Sequence, residues 1–156
     1  SWVLIVAYIS YRFELKFAIA AIVGLIHDIF IVLSVFSIFQ KEIDASFVAA
    51  LMTIVGYSTN DTIVIFDRIR ENTKLYPRES VENIINNSIK QSLKRTIYTT
   101  LTTLMAVTVL YILGVEDVKV LTLPLIIGMI AGVYSSLFIA APLWYELKNR
   151  KIKAAK

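Results

Sequence analysis

The chain has 156 residues and a formal net charge of +4, with 57% apolar residues, 18% charged residues, one histidine and no cysteine. The lack of cysteine excludes a disulfide scaffold and a thiolate metal site, and the high apolar content excludes a disordered chain. A mean hydropathy of +0.69, with charges in clumps between long uncharged stretches, disfavours a soluble enzyme. We therefore predict an all-α polytopic membrane protein.

The first predicted element is an apolar stretch at about residues 1–11, which as a helix is too short to cross a hydrocarbon layer of about 30 Å. No basic region precedes it and no small-residue cleavage site follows it, so it is unlike a signal peptide. Because the chain begins with Ser1 rather than Met, we expect a fragment that starts inside a transmembrane helix.

Four further stretches are each long enough to cross a membrane as a helix. The first contains a single charged residue, Asp28, the second contains only Asp61, and the last two contain none. We therefore predict a transmembrane domain over residues 1–145, with one truncated helix and four complete ones. The four complete spans are 17–39, 45–66, 96–115 and 120–145.

An amphipathic helix is predicted at about residues 79–95, in the loop before the third complete span. Ser80 is a suitable N-cap, and apolar and small residues recur at helical spacing from Val81 to Leu93. Anchoring to the membrane surface and coupling to the neighbouring helices are both open interpretations of this helix. Residues 146–156 are predicted to form a basic tail.

The basic residues predict the orientation of the helices. All of the sixteen lysines and arginines except Lys41 and Lys119 lie on one side of the predicted topology. Because lysine and arginine concentrate in cytoplasmic loops, that side and the C-terminal tail are predicted to be cytoplasmic. The positive net charge is therefore explained by topology, and we expect no binding of nucleic acid.

Two aspartates lie within the predicted spans, where an ionised side chain costs about 2.5 to 3.5 kcal/mol. We predict a proton relay, with Asp61 as the proton-carrying carboxyl and Arg95, at the end of its span, as the cation that favours proton release. Asp28, its neighbour His27 and the supporting Asn60 are weaker candidates. Alternatively, these residues only hold the helices together by hydrogen bonds, and Arg95 extends to the membrane surface.

Small residues indicate where helices pack closely. Gly128, Gly132 and Ser136 lie four apart in the last span, which lets backbones approach each other. We expect similar packing at Gly24 and Gly56, and a sliding surface is the alternative interpretation. The sequence contains no metal cluster, no nucleophile–base pair and no phosphate-binding loop, so we expect neither an enzyme nor a cofactor, with protons as the coupling ion.

The segment 56–62, Gly-Tyr-Ser-Thr-Asn-Asp-Thr, is followed by Asp-Arg-Ile-Arg-Glu-Asn at 67–72. Together these segments resemble the fourth transmembrane helix of the SecF family of bacterial protein-export membrane subunits. His27 and Asp28 resemble its His-Asp pair. Further similarity covers Ser88, Gln91, Leu93, Arg95, Thr96, Thr99, Thr102 and Thr103, then 132–136 and 140–142, so that it extends from about residue 17 to 145.

The resemblance implies a helix bundle of the resistance-nodulation-division type, a half-unit without the family's first helix and periplasmic domain. It implies a multi-pass protein of the bacterial inner membrane that uses the proton gradient to help export unfolded preproteins, which the missing periplasmic domain would handle. The implied partners are SecD, the SecYEG channel, YajC-type and YidC-type subunits and the lipid bilayer. Asp61 and Arg95 match the positions of proton passage, whereas Asp28 and His27 match them more weakly.

Two other functions stay open at this point. One is half of a proton-coupled drug or lipid exporter of the same superfamily, and the other is an assembly subunit of the translocon that transports nothing. Whether the natural chain is a separate SecF subunit or the C-terminal half of a fused SecDF is open as well.

Overall fold

The computed structural model describes residues 15–154, so the predicted element at 1–11 lies outside the described residues. The described residues are helical apart from short connections, and four of the helices are long and apolar enough to cross a membrane. The predicted all-α class is therefore confirmed. The elements are α1 (Leu15–Ile38), α2 (Ala45–Leu75), α3 (Val81–Leu113), α4 (Glu116–Ser135), a π-helical turn (Ser136–Ala140) and α5 (Ala141–Ala154).

The helices are longer than the predicted spans. The amphipathic segment 79–95 and the span 96–115 form one helix, α3, because no proline or glycine interrupts the chain between Val81 and Leu113. Likewise, α2 continues past residue 66 to Leu75. The predicted tail begins as a helical continuation of the last span.

Side-chain caps define where α2 and α3 begin. The Asp44 carboxylate accepts a hydrogen bond from the Phe47 amide at 2.9 Å. The predicted N-cap, Ser80, accepts one from the Asn83 amide at 3.3 Å. Each cap satisfies an amide that has no partner within its helix and so fixes the helix start.

A π-helical turn links α4 to α5 just before Pro142. Proline has no amide hydrogen and its ring collides with the carbonyl four residues earlier, which here belongs to Phe138. The wider π turn lies at this carbonyl and lets the chain continue as a helix on both sides. The last membrane-crossing segment therefore runs from α4 through the turn into α5.

The interior consists of two apolar clusters with a polar layer between them. We call the end of the bundle where α2 ends and α3 begins the basic end, because Arg68 and Arg95 lie there. One cluster, with Phe17, Phe66, Ile69 and Trp144, lies toward this end. The other, with Val32, Phe36, Phe47, Ile54 and Met129, lies toward the opposite end. Along α1, α2, α4 and the π-helical turn, buried polar residues occupy the segments between the clusters, namely Asp28, Ser58, Thr59, Asp61, Thr62, Ser135 and Ser136.

The outer surface of the bundle is apolar. Phe30, Met105, Leu113 and Phe138 are each more than half exposed. This pattern, with carboxylates inside and large apolar side chains outside, is that of helices solvated by lipid. The chain is a multi-pass membrane protein.

Candidate functional site

Asp28 is completely buried at a junction of three helices. Its Oδ2 atom accepts hydrogen bonds from Ser58 Oγ of α2 at 2.6 Å and from Ser135 Oγ of α4 at 2.9 Å. Gly132 lies beside the same oxygen, and a Cβ atom at that position would be 3.7 Å from it. The Asp28 carboxylate thus joins α2 and α4 to α1 by hydrogen bonds.

His27 makes its polar contact with its own neighbour, and its ring contacts another helix, α4. Its Nδ1 atom lies 3.2 Å from the Asp28 Oδ1 atom. The ring, which is 29% exposed, also lies 5.9 Å from the ring of Tyr134. His27 therefore connects the buried carboxylate to the surface of the bundle.

Asp61 lies in the same polar layer, at the interface between α2 and α3. It is 5% exposed, and Thr100 Oγ1 donates to its Oδ2 atom over a long 3.5 Å. The Tyr57 hydroxyl in turn donates to Thr100 Oγ1 at 3.3 Å. Among residues 15–154, Asp61 is held by a single weak hydrogen bond, in contrast to the shorter bonds at Asp28.

Arg95, the predicted partner of Asp61, does not form an ion pair with it in this structure. Its side chain is exposed and lines a cavity of about 280 Å³ at the basic end, together with Asp67, Glu71 and Ser92. The direct partner of Asp61 in this structure is Thr100.

A polar network fixes α2 to α3 at the basic end. The buried Asn72 Nδ2 atom donates to Ser88 Oγ at 2.8 Å and to Gln91 Oε1 at 3.0 Å. Arg68 Nε donates to the same Gln91 oxygen at 2.6 Å, and Arg68 Nη1 contacts Glu71 Oε2 at 2.6 Å. This network lies between Asp61 and the α2–α3 loop and holds the register of the two helices.

Most of the small residues predicted for helix packing lie at helix contacts. A Cβ atom on Gly128 would collide with Ile54, one on Gly132 would be 3.3 Å from Ser58 Cβ, and one on Gly24 would be 3.8 Å from Ala140 and Ser135. These glycines bring α4 against α2, and α1 against α4 and the π-helical turn.

Ser136 is buried and donates to the Val133 carbonyl at 3.2 Å.

Two of the predicted residues, Gly56 and Asn60, face outward instead of packing against another helix. A Cβ atom on Gly56 would have nothing within 4 Å, so close packing at Gly56 is not found among the described residues. Asn60 is exposed and forms no side-chain hydrogen bond that would support Asp61 within the part of the chain that the structure describes. In that same part, no group of three histidine, cysteine or acidic residues is arranged to hold a metal ion.

The sequence reasoning missed the hydroxyl partners of both aspartates. Ser58 precedes Asp61 by three residues, and Ser135 adjoins Ser136 of the small-residue stripe, so the sequence alone assigns both to packing or to a motif. A signal for Thr100 was present: α3 carries a hydroxyl every four residues from Ser88 to Thr100, a spacing that places all of them on one helix face.

The chain matches known protein-export membrane proteins along nearly its whole length. The family described as protein export membrane protein SecD/SecF, C-terminal, matches residues 1–150. The protein translocase subunit SecF of Alicyclobacillus acidocaldarius is 51% identical over 154 residues, which is 97% of this chain and 50% of that protein. The chain therefore spans about half the length of this curated relative.

Solved structures show the same arrangement of helices. A crystal structure of SecDF in a super-membrane-facing form has a TM-score of 0.94 and 39% identity, over 99% of this chain and 21% of that one. A crystal structure of SecDF from Thermus thermophilus, described as a translocon-associated membrane protein, has a TM-score of 0.89 and 40% identity, over 92% and 20% of the two chains. The fold implied by the sequence motifs is confirmed.

Proposed function

This chain belongs to the SecD/SecF C-terminal family of protein export membrane proteins, and we propose that it is the proton-driven membrane core of an accessory subunit of the Sec translocon. In this role it promotes the export of preproteins across the bacterial inner membrane. The names of the relatives, protein translocase subunit SecF and SecDF, support the proposal.

The observation that carries the proton-driven part is the setting of Asp61. Its carboxyl is 5% exposed in the polar layer and has one weak hydrogen bond, from Thr100. An ionised aspartate near the centre of a membrane helix costs about 2.5 to 3.5 kcal/mol, and a proton or a cationic partner lowers that cost. Asp61 is therefore stabilised either by a bound proton or by a nearby cation, and it can exchange the proton for the cation.

We assign Arg95 the role of that cationic partner in a second conformation. When α3 moves relative to α2 so that the guanidinium approaches Asp61, the carboxylate is stabilised and the proton leaves; when α3 returns, a proton is taken up again. One charge that crosses 100 mV corresponds to about 2.3 kcal/mol, so a few protons can drive a substantial movement. The movement would be passed to the periplasmic domain of the full-length protein.

The proposal includes the partners and the orientation. SecD is either fused to this chain in the natural protein or a separate subunit, and the SecYEG channel is the site of export. YajC-type and YidC-type subunits are further candidates. The basic end faces the cytoplasm, because the sequence predicts all but two of the basic residues to lie on that side.

The test compares wild type, Asp61→Asn and Asp117→Asn in the full-length parent protein. Asp117 is exposed in the first turn of α4, so its conversion to asparagine is a matched control for loss of a carboxylate. Preprotein import into inverted membrane vesicles is measured with and without a proton gradient, and assembly is checked by copurification with SecD. We expect the stimulation by the gradient to vanish in Asp61→Asn and to persist in Asp117→Asn.

Other results favour the other functions. Proton flux is followed in the same vesicles. Unchanged stimulation together with equal proton flux in wild type and in an assembled Asp61→Asn variant refutes the relay and favours an assembly subunit that carries no protons. Loss of proton flux in Asp61→Asn with no change in import favours an exporter of drugs or lipids.

A further inference from the structure

Four buried hydroxyl residues lie on one face of α3, between the basic end and Asp61. They are spaced four residues apart, which corresponds to about 6 Å along a helix, and each is at most 6% exposed. We call this set the hydroxyl row; it consists of Ser88, Ser92, Thr96 and Thr100.

Both ends of the hydroxyl row have defined partners on α2. Ser88 accepts from Asn72 at 2.8 Å, and Thr100 donates to Asp61 at 3.5 Å. These pairs show that α2 and α3 run antiparallel with Ser92 and Thr96 between the two contacts. The row therefore leads from the polar network at the basic end to the carboxyl of Asp61.

Ser92 opens the hydroxyl row to a cavity. The cavity of about 280 Å³ is lined by Ser92, Arg95, Gln91 and Arg68, among others. Because a water molecule occupies about 30 Å³ in the liquid, this volume holds several. Water at the basic end can thus reach the second member of the row.

Thr96 is the unusual member of the row. It is 1% exposed, and its Oγ1 atom has no hydrogen-bond partner among the described residues. By contrast, Thr99, Thr102 and Thr103 each donate to a carbonyl of their own helix. A buried hydroxyl without a hydrogen-bond partner costs about 1 to 3 kcal/mol. The Thr96 hydroxyl therefore needs a polar partner. In proteins, a buried water molecule usually bridges such unsatisfied groups.

We propose that the hydroxyl row and intervening water molecules form the path by which protons pass between the cavity at the basic end and Asp61, with the Thr96 hydroxyl as the link in its middle. Two hydrogen bonds of about 2.8 Å span the distance of about 6 Å between neighbouring hydroxyls, so one water fits in each gap. This inference rests on the proposed role of Asp61.

Each step of the path conserves atoms and charge. A hydroxyl oxygen accepts a proton from the water on its cavity side and releases its own proton to the water on the other side. Thr100 finally passes a proton to the Asp61 carboxylate, which becomes the neutral acid, and the reverse sequence returns the proton to the cavity. No side chain of the row is consumed, because each hydroxyl regains a proton.

The experiment uses Thr96→Val, Thr96→Ser and Thr102→Val in the full-length parent, together with SecD. Valine has the shape of threonine without the hydroxyl, serine keeps the hydroxyl, and Thr102 is an exposed threonine of the same helix that bonds to its own backbone. Proton uptake by reconstituted vesicles is followed with a pH-sensitive dye, and thermal unfolding reports stability. We expect uptake to fall by about tenfold or more in Thr96→Val and to stay close to wild type in the other two variants.

The outcomes separate this inference from the proposed function. Normal uptake in Thr96→Val with lost uptake in Asp61→Asn overturns the path and leaves the role of Asp61 intact. Normal uptake in both variants overturns both proposals. Equal loss in Thr96→Val and Thr96→Ser shows that side-chain shape rather than the hydroxyl matters and also overturns the path. If Thr96→Val does not assemble, Thr96→Ala takes its place with the same expected loss.

Discussion

The packing of α4 against α2 at Gly128 gives a sharp stability prediction. In Gly128→Ala, the new methyl group would be 2.5 Å from Ile54 Cγ1 and 2.8 Å from Ile54 Cγ2, and it would also meet Ile54 Cδ1. Rotation of the Ile54 side chain cannot clear both branches at once, and Ile54 is itself 1% exposed. The two helices must therefore move apart by about 1 Å to reach ordinary contact distances, which begin near 3.4 Å.

Overpacking of this kind costs about 1 to 3 kcal/mol, and the helix propensity of alanine over glycine returns about 1 kcal/mol. Since three Ile54 atoms are affected, we expect the upper part of the range and a net loss of about 2 kcal/mol in the free energy of unfolding. Gly56→Ala is the control, because nothing lies within 4 Å of its Cβ position. It should be neutral or slightly stabilising.

Thermal unfolding of the purified full-length protein in detergent measures both variants, and the Gly128→Ala midpoint should fall by several degrees. Ile54→Ala removes all three colliding atoms, so it should cost less in the Gly128→Ala background than in wild type, with a coupling energy of about 1 kcal/mol or more. If Gly128→Ala and Gly56→Ala have equal midpoints, or if the coupling is zero, the close approach of α4 to α2 is refuted.

Two other predictions concern the buried polar contacts. Asp28→Ala leaves the Ser58 and Ser135 hydroxyls buried without their acceptor and should lower the free energy of unfolding by about 3 kcal/mol. Asp28→Asn keeps an acceptor oxygen and should lower it by about 1 kcal/mol. Equal midpoints of thermal unfolding for the two variants would contradict the three-helix junction. Asn72→Ala removes both hydrogen bonds to α3 and should increase the rate of proteolysis in the loop 76–80 by about fivefold, whereas Asn87→Ala, at an exposed position, should leave the rate unchanged.

The helices could be predicted from the sequence because lipid imposes a simple requirement. Each span needs about 20 apolar residues, so the stretches around Asp28 and Asp61 stand out despite their charges. The helix ends are less predictable. Past residue 66, α2 continues as an amphipathic helix to Leu75. The apolar stretch of the sequence ends at the membrane surface although the helix continues beyond it.

The hydrogen-bond partners of the two aspartates were harder to predict than the positions of the aspartates within the spans. An aspartate within a span is conspicuous in the sequence, but serine and threonine are common in membrane helices, where they bond to their own backbone. Thr99 and Thr100 are adjacent and chemically alike, yet Thr99 bonds to its own helix and Thr100 reaches Asp61. Only the rotation of α3 about its axis, which depends on packing along the whole helix, distinguishes them.

The contrast between the two carboxylates shows that the polar layer holds some helices firmly and one helix weakly. Asp28 receives short hydrogen bonds from α2 and α4 and a third contact from His27, so a movement of any one of those helices breaks a bond in the interior. Asp61 has one bond of 3.5 Å to α3, which a small movement of that helix can give up at little cost. It follows that, within the polar layer, α1, α2 and α4 are joined to each other and the displacement of α3 is least opposed, while the Asn72 network still holds α3 to α2 at the basic end. A proton relay needs such an asymmetry, because the carboxyl that exchanges its proton must change its surroundings while the frame that holds it does not.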